Sequence, residues 1–332
     1  MPITIYPDRI EFTNYTLRLD STGLRVTNTT SNVVSGTFAA RALEQLSPLS
    51  GTVRGYSSGG YSGGPTVRLV IDRFPFAADA NATDVGNLTV GRYQLAGQSS
   101  TVSGYSSGGF TTAASNVIDR FPFATNANAT DVGDLTVARF GPAGQSSSVS
   151  GYTSGGLAGA HTNVIDRFPF AVNANATDVG DLTVVRSSAA GQSSQISGYT
   201  SSGAPPASLG LNTIDKFPFA VNAFATDVGD ATITRFNVTG QSSTVSGYTS
   251  GGSPTTNVID KFPFAVDVNA TDVGDLTVAR NLASGQSSTV SGYTSGGSTS
   301  NTIDKFSFSS DQNATDVGDL TVARSGPAGQ QD

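Results

Sequence analysis

Short segments in which apolar and polar residues alternate run through most of the chain. In the segment 135–139, Leu135, Val137 and Arg139 share one parity, and the segment 117–123 alternates in the same way. A period of two predicts β-strands. Gly, Ser, Thr, Asn and Val, which disfavour long helices, recur at short intervals throughout. The pattern therefore predicts an all-β protein built from short strands.

The alternating segments belong to six repeats. An Ile-Asp-Arg/Lys-Phe segment recurs with its Asp at positions 72, 119, 166, 215, 260 and 304, so the units are 44 to 49 residues long. Three further segments accompany it, containing Gly-Tyr, Thr-Asp-Val-Gly and Gly-Gln, and the last of these ends the chain as Gly329-Gln330. Four short segments in such a unit are typical of a propeller blade. We therefore predict a six-bladed β-propeller with four strands per blade over residues 47–332.

The order of strands within a blade follows from crowding. Radial packing of one sheet on the next buries both faces of each sheet, and closure of the ring removes exposed flanks. Strands near the axis are the most crowded and suit small residues. We expect the Gly-Gln-Ser-Ser segment to be innermost and the Leu-Thr-Val-x-Arg segment to be an outer strand.

Residues 1–46 lie outside the repeat and are themselves β-rich. Ile3–Tyr6 and Leu17–Leu19 are among their alternating segments. Two or three strands of this length are marginally stable alone, so we expect them to pack on a partner chain or on the propeller. Two interpretations remain open, namely a segment that anchors the protein to an assembly and an extension that caps the ring.

Composition narrows the possible chemistry. The 332 residues carry a net charge of −7 and include no Cys, no Trp and one His, which is His161. A cysteine nucleophile, a thiolate metal site and a disulfide framework are therefore excluded. A pI near 4.6 without a basic cluster argues against nucleic-acid binding. No stretch approaches the ~18 apolar residues of a membrane helix, so we expect no membrane insertion.

The catalytic residue types are also scarce. Nucleophilic catalysis needs a base beside a Ser or Thr, yet the one His lies in a variable segment. Glu occurs only as Glu11 and Glu44, both before the repeats. We expect a binding or structural protein that is not an enzyme and that carries no cofactor.

The connections between strands differ in how much they vary. Those after the second and fourth strands of each blade emerge on one rim and vary from unit to unit, whereas the other rim has nearly identical connections. Recognition is commonly carried by loops on a rigid scaffold, so the variable connections are the candidate ligand-binding surface. Its exposed candidates are Tyr61, Phe110, His161 and Leu209. The alternative is that these loops vary because nothing constrains them.

The repeated connection offers a weak calcium candidate. Asp267, Asn269, Thr271, Asp272 and Asp275 place oxygen-bearing side chains beside a Gly, and Ca²⁺ takes six to eight oxygen ligands. The same residue types are ordinary turn residues that bond their own backbone, and we favour that interpretation.

One Asp and one Arg recur in every unit. We expect them to form a hydrogen-bonded pair that braces each blade or two adjacent blades, for example Asp119 with Arg139. Such a pair matters for stability only when it is at least partly buried.

The unit resembles a kelch repeat. It shares the double glycine Gly108-Gly109, the Ile118-Asp119 pair and the closing Arg139, although it lacks the usual Trp. More narrowly, strings such as IDKFPFA, NATDVGDLTVAR and GQSSTVSGYTSGG are similar to kelch-like propeller repeats in virion proteins of marine bacteriophages, especially those that infect cyanobacteria. The resemblance covers residues 47–330 and implies a virion structural or tail-associated protein.

This resemblance sets the functional expectation. We expect a virion propeller, tail- or fibre-associated and present in multiple copies, that attaches to other virion proteins through residues 1–46 and presents its variable loops to a host-surface carbohydrate. The alternative is an architectural capsid decoration, neck or baseplate component without a ligand; a non-viral extracellular adhesin is a third possibility. Two or three aromatic residues in a cleft on the variable rim would favour recognition.

Overall fold

The structure is a computed structural model. It describes residues 51–63, 66–206 and 210–332 and, within residues 1–50, the course of five strands. The chain separates into two compact units, Met1–Pro48 and Leu49–Asp332. No helix among the described residues is long and apolar enough to cross a membrane.

The N-terminal unit contains one antiparallel sheet of five strands, more than the two or three that the sequence suggested. Each strand pairs with the next along the chain. The strands are Thr4–Tyr6, Arg9–Phe12, Tyr15–Asp20, Gly23–Asn28 and Val34–Phe38.

The second unit confirms the predicted six-bladed β-propeller. It consists of six four-stranded antiparallel sheets, numbered here by the position of their second strand along the chain. From blade 1 to blade 6, the inner strands are Ala328–Gln331, Ala96–Ser99, Ala143–Ser146, Ala190–Ser193, Thr239–Ser242 and Ser284–Ser287. The second strands are Arg54–Ser58, Ser103–Ser107, Ser150–Ser154, Ser197–Ser201, Ser246–Ser250 and Ser291–Ser295.

The other two strands of each blade lie further from the axis. The third strands are Val70–Pro75, Val117–Pro122, Val164–Pro169, Leu211–Pro218, Val258–Pro263 and Thr302–Ser307. The outer strands are Thr83–Asn87, Thr130–Asp134, Thr177–Asp181, Thr226–Arg235, Thr271–Asp275 and Thr315–Asp319. A small hairpin in a loop of blade 3 pairs Leu157–Ala158 with Ala160–His161.

The last strand of the chain closes the ring. Ala328–Gln331 pairs with Arg54–Ser58 as the inner strand of blade 1, so the two ends of the repeat region share one sheet. The Gly-Gln segment is thus innermost in all six blades, as its small residues predicted.

The expected outer strand was partly wrong. In blade 2 the outer strand is Thr130–Asp134, and residues 135–139 form a bend instead. Leu135 and Arg139 are buried there while Val137 is 47% exposed. The reason is that Thr136 bonds a carboxylate of the next blade, through its N–H at 2.9 Å and its hydroxyl at 2.7 Å, and not a neighbouring strand. Only blade 4 keeps this segment within its outer strand.

Glycines allow the inner strands to meet around the axis. A Cβ built on Gly144 would lie 2.2 Å from the carbonyl oxygen of Gly97 in the preceding blade. A side chain cannot be accommodated there without moving backbone. The same close approach passes from blade to blade around the full circle, through Gly97, Gly144, Gly191, Gly240, Gly285 and Gly329.

The hydrophobic core lies between adjacent blades. Tyr105 of blade 2 packs on Phe168 and Phe170 of blade 3, with ring centroids 5.5 Å and 4.8 Å apart. The buried Gln98 side chain donates to the Tyr152 carbonyl of the next blade at 3.0 Å. Each blade therefore depends on its neighbours for its buried surface, which explains why the ring is closed.

Candidate functional site

The antiparallel order of strands assigns the loops to two rims. Connections from second to third strands, and from outer strands to the next inner strand, lie together; we call this side the variable rim because these loops differ between blades. The opposite side, which carries the hairpins from inner to second strands and the loops after the third strands, is the constant rim.

Backbone bridges join neighbouring blades on the variable rim. The residue after each buried Arg pairs with a residue of the loop that follows a second strand; the N–H of Tyr93 donates to the Phe110 carbonyl at 3.0 Å, and the reverse bond is 2.9 Å. Five such bridges join Tyr61 to Ser325, Tyr93 to Phe110, Phe140 to Leu157, Ser187 to Ala204 and Phe236 to Ser253. At the sixth junction, Ser298 donates its N–H to the Asn281 carbonyl at 2.9 Å. The rim thus holds twelve side chains at fixed positions.

Four aromatic rings occupy consecutive bridge positions on one side of this rim. Tyr61 lies 5.5 Å from Tyr93, Tyr93 lies 5.7 Å from Phe110, and Phe110 lies 5.1 Å from Phe140, measured between ring centroids. Successive rings are tilted by 41°, 63° and 75°, and the last two pairs have the edge-to-face geometry that aromatic pairs favour. All four side chains are half-buried. We call these four residues the aromatic arc.

The rest of the rim has a different character. The bridge positions outside the arc hold one further aromatic residue, Phe236, and otherwise aliphatic or small polar residues. Those other residues are Leu157, Ser187, Ala204, Ser253, Asn281, Ser298 and Ser325. Backbone positions that are equivalent in all six blades therefore carry different side chains, and the aromatic ones are concentrated on one side of the rim. This asymmetry makes the aromatic arc the candidate site.

A closed circle of backbone hydrogen bonds lies beside the aromatic arc. Six residues in the left-handed backbone region, with φ between 52° and 64°, surround the mouth of the central channel. The N–H of each donates to the carbonyl of the preceding one at 2.6 to 2.9 Å, and the circle closes. They are Gln94, Gly141, Ser188, Asn237, Leu282 and Gly326. These residues help to line a cavity of about 60 Å³.

Two of the four predicted site residues belong to the aromatic arc and the other two do not. Tyr61 and Phe110 belong to the aromatic arc. His161 lies beyond its end, paired with Leu157, which bonds Phe140; its Nδ1 is buried and has no hydrogen-bond partner among the described residues. Leu209 lies outside the described residues.

Sequence reasoning missed Tyr93 and Phe140. The signal was present, because aligning the six repeats on the buried Arg places both residues at one position, directly after Arg92 and Arg139. Their proximity to Phe110, however, depends on bridges between blades that no local pattern shows.

The variable rim carries little charge. Apart from the arginines that are buried in ion pairs with Asp, its loops contain one Arg, Arg68, and one His, His161, and no Asp, Glu or Lys. The Arg68 Nε donates to the Ser62 hydroxyl at 2.7 Å. The remaining polar groups are hydroxyls, amides and backbone groups. Such a surface suits a neutral ligand that has both apolar faces and hydroxyl groups.

The calcium candidates on the constant rim make separate contacts within the protein. Asp267 pairs with Lys216 of the preceding blade at 2.9 Å, Asn269 accepts the Asp230 N–H at 3.1 Å and Asp272 accepts the Gly274 N–H at 3.1 Å.

The other two candidates belong to the same outer strand. Thr271 pairs with Lys261 in the sheet register, and the Asp275 N–H donates to Asn313 of the next blade at 3.1 Å. Among the described residues, no three His, Cys, Asp or Glu side chains come together to hold a metal.

The position of Asp267 is occupied by Asp in three blades and by Asn in the other three, and this difference has a structural reason. Where the third strand of the preceding blade has Lys, the loop has Asp, as in Lys261 with Asp311 at 2.8 Å. Where that strand has Arg, the loop has Asn, as in Arg73 with Asn126 at 2.8 Å. All six junctions follow this rule, so this position contributes to packing between blades.

The recurring Asp and Arg form buried ion pairs, but not within one unit. Arg139 pairs with Asp166 of the next blade at 2.9 Å, and Asp119 pairs with Arg92 at 2.7 Å, so the expected pair of Asp119 with Arg139 is wrong. In five blades the bend after the outer strand directs the Arg towards the following blade, and in blade 4 the Arg is the last residue of the outer strand and pairs with the next blade in the same way. Burial lowers the pKa of Arg139, and the charge of Asp166 opposes that effect.

These geometric features define the class as a six-bladed β-propeller. No known protein family has a profile that matches this chain, and a comparison with curated proteins finds no match.

Proposed function

We propose that this chain is a virion structural protein whose propeller recognises a neutral carbohydrate of the host surface through the aromatic arc. The main support is a run of four contacting aromatic rings on one side of the variable rim, at backbone positions that recur in every blade. The four residues are Tyr61, Tyr93, Phe110 and Phe140.

The chemistry of the rim supports this ligand class. Sugar rings present apolar C–H faces that pack on aromatic side chains, and hydroxyl groups that need donors and acceptors. Binding sites of this kind combine aromatic walls with a few placed polar groups. A phosphate-rich or strongly anionic ligand is disfavoured, because Arg68 is the one Arg or Lys of these loops that is not buried in an ion pair with Asp.

The rigidity of the scaffold supports recognition as well. Bridges between blades and the closed ring of hydrogen bonds fix the backbone beneath the arc. A preorganised surface loses less conformational entropy on binding.

The virion context rests on the resemblance of the repeats to kelch-like virion proteins. In this proposal residues 1–46 attach the propeller to other virion proteins, and several copies per particle raise the avidity of weak individual contacts. A purely architectural role is the second candidate. It is favoured by a circle of exposed β-branched residues on the constant rim, with exposures of 44 to 75%, at Val53, Val102, Val149, Ile196, Val245 and Val290.

A glycan array probed with the full chain tests the proposal. We expect binding to neutral glycans and a loss of at least tenfold in affinity for Phe110→Ala, because a ring that contacts two others of the arc is removed. Phe236→Ala is the matched control, since Phe236 occupies an equivalent bridge position outside the arc. It should bind as the unaltered protein does.

Two results would contradict the proposal. One is the absence of glycan binding by the folded full chain, which would favour the architectural role. The other is an equal loss of binding in both variants, which would show that the arc has no special part.

A further inference from the structure

One junction of the constant rim breaks the rule that the other five obey. At those five, an Asn side chain accepts the N–H at the end of the preceding outer strand, as Asn128 does from Asn87 at 3.0 Å. The five are Asn81, Asn128, Asn175, Asn269 and Asn313. Blade 4 has Phe224 at this position, and its side chain is 71% exposed.

The apolar excess extends to the neighbouring loops. Val221 in the loop of Phe224 is 60% exposed, and the equivalent Val172 and Val266 of blades 3 and 5 are 61% and 57% exposed. The other three blades have small or polar residues at this position, namely Ala78, Thr125 and Ser310. The excess is thus confined to three consecutive blades.

The loop of Phe224 is continuous with the hairpin tip of the same blade. The N–H of Phe219, at the start of this loop, donates to the Ile196 carbonyl at 2.9 Å. Ile196 is 75% exposed and is the one Ile among six otherwise Val positions. We call Ile196, Val221 and Phe224, flanked by Val172 and Val266, the blade-4 surface.

The fold gains nothing visible from this departure. Asn at position 224 would give the Asp181 N–H the acceptor that the other junctions have, and it would remove an exposed aromatic ring. Residues that break a local rule without a structural gain are expected at functional sites, and exposed apolar patches commonly mark interfaces.

The charges around this surface indicate the kind of partner. Asp178, Asp181 and Asp227 lie on the outer strands beside it, while the nearby cations are engaged, Arg167 by Asn222 and Lys216 by Asp267. A second copy of the chain would bring like charges together, whereas Lys and Arg around an apolar segment would complement them.

We infer that the blade-4 surface is a docking site for a protein segment with an apolar face flanked by Lys and Arg. Phe224 is its anchor, because an exposed aromatic ring at the centre of an apolar surface is the usual form of a binding hot spot. This site lies on the rim opposite the aromatic arc and is independent of the carbohydrate proposal.

A defined peptide tests the inference. The chain has no Trp, so a synthetic amphipathic peptide of Leu and Lys with a single Trp reports its own binding by fluorescence. We expect it to bind the full chain, and Phe224→Asn to weaken binding at least tenfold without lowering the melting temperature, since the sixth Asn bond is restored. Val102→Asn, at an equivalent exposed tip on blade 2, is the control and should bind normally.

Several outcomes would overturn the inference. They are no binding of the Lys peptide to the full chain, equal binding by Phe224→Asn, and equal binding of a peptide with Glu in place of Lys. Self-association of the chain that Phe224→Asn abolishes, measured by sedimentation velocity, would overturn it too, because the occupant would then be a second copy.

Discussion

At the scale of single residues, the ring is held by polar groups whose partners lie in the neighbouring blade. Asp166 accepts the N–H and hydroxyl of Thr136 as well as the guanidinium of Arg139, so three donors from one blade converge on one carboxylate of the next. Removing one partner of a buried pair leaves the other charged and unpaired, which costs far more than the loss of an exposed pair.

A double-mutant cycle tests which Asp forms the ion pair with Arg139. Arg139→Ala should lower the free energy of unfolding by about 3–5 kcal/mol, and its effect should be strongly non-additive with Asp166→Ala. Combined with Asp119→Ala, which removes no partner of Arg139, the effects should add. Lys261→Ala, which breaks an exposed pair, is the control and should cost about 0–1 kcal/mol. Chemical denaturation measures all of these, and coupling of Arg139 to Asp119 in place of Asp166 would refute the pairing between blades.

At the scale of strands, the sequence predicted some elements well and others poorly. The inner strand was predictable because its Gly and Ser residues suit the crowded axis. Residues 135–139 were mistaken for a strand because the parity of Leu135 and Arg139 reflects burial on either side of a bend, and a bend of this kind leaves the same apolar spacing as a strand.

The glycines of the inner strands give a direct test of the packing at the axis. Gly144→Ala places a methyl group 2.2 Å from the Gly97 carbonyl oxygen, so backbone must move. Overpacking of this kind costs typically ~1–3 kcal/mol and occasionally more, and we expect the upper part of that range here. Thr101→Ala, at an exposed hairpin tip, should change the melting temperature little. A Gly144→Ala protein as stable as this control would show that the inner strands are further apart.

Two of the four residues of the aromatic arc could be predicted from the sequence and two could not. Tyr61 and Phe110 stand out in the sequence because they follow a double glycine in loops of variable length. Tyr93 and Phe140 become neighbours of Phe110 only through bridges between blades, and pairing between distant segments is not visible in a local pattern.

At the scale of the whole molecule, six inter-blade tyrosines make the ring sensitive to alkali. Burial raises the pKa of Tyr56, Tyr105, Tyr152, Tyr199, Tyr248 and Tyr293, for Tyr248 to about 12. Because the pKa of each of these tyrosines in the folded state exceeds the ordinary value of 10.0, the stabilisation is fully present below pH 10. It is lost as the pH rises through the folded-state pKa values, of which that of Tyr248 is about 12.

We therefore expect unfolding and the ionisation of these six tyrosines to coincide in alkali. Circular dichroism would follow the fold and phenolate absorbance would follow the tyrosines as the pH is raised above 10. Tyr248→Phe should make the free energy of unfolding fall less above pH 10, because the contribution of the Tyr248 hydroxyl to this pH dependence is removed. Ionisation of these six tyrosines near pH 10 in a still-folded protein would contradict their burial between blades.

The two rims of the ring each carry one surface that breaks the sixfold repeat, and the two surfaces lie in different blades. The aromatic arc spans blades 1 to 3 on one rim, and the blade-4 surface lies on the other. The constant rim has nearly identical connections in sequence, but it is not a ring of six equivalent copies, because Phe224 departs from the repeat. A scaffold built from near-identical units thus carries its distinctive residues at few positions, and these positions are where binding is proposed.

Hydrogen–deuterium exchange with and without a neutral oligosaccharide bound by the full chain tests whether the aromatic arc is the carbohydrate site. We expect added protection in residues 61–63, 93–94, 110–117 and 140–141, which carry or adjoin the aromatic arc. We expect no change at the equivalent positions 187–188, 236–237 and 281–282. Protection spread equally over all six junctions, or confined to the constant rim, would show that the arc is not the binding site.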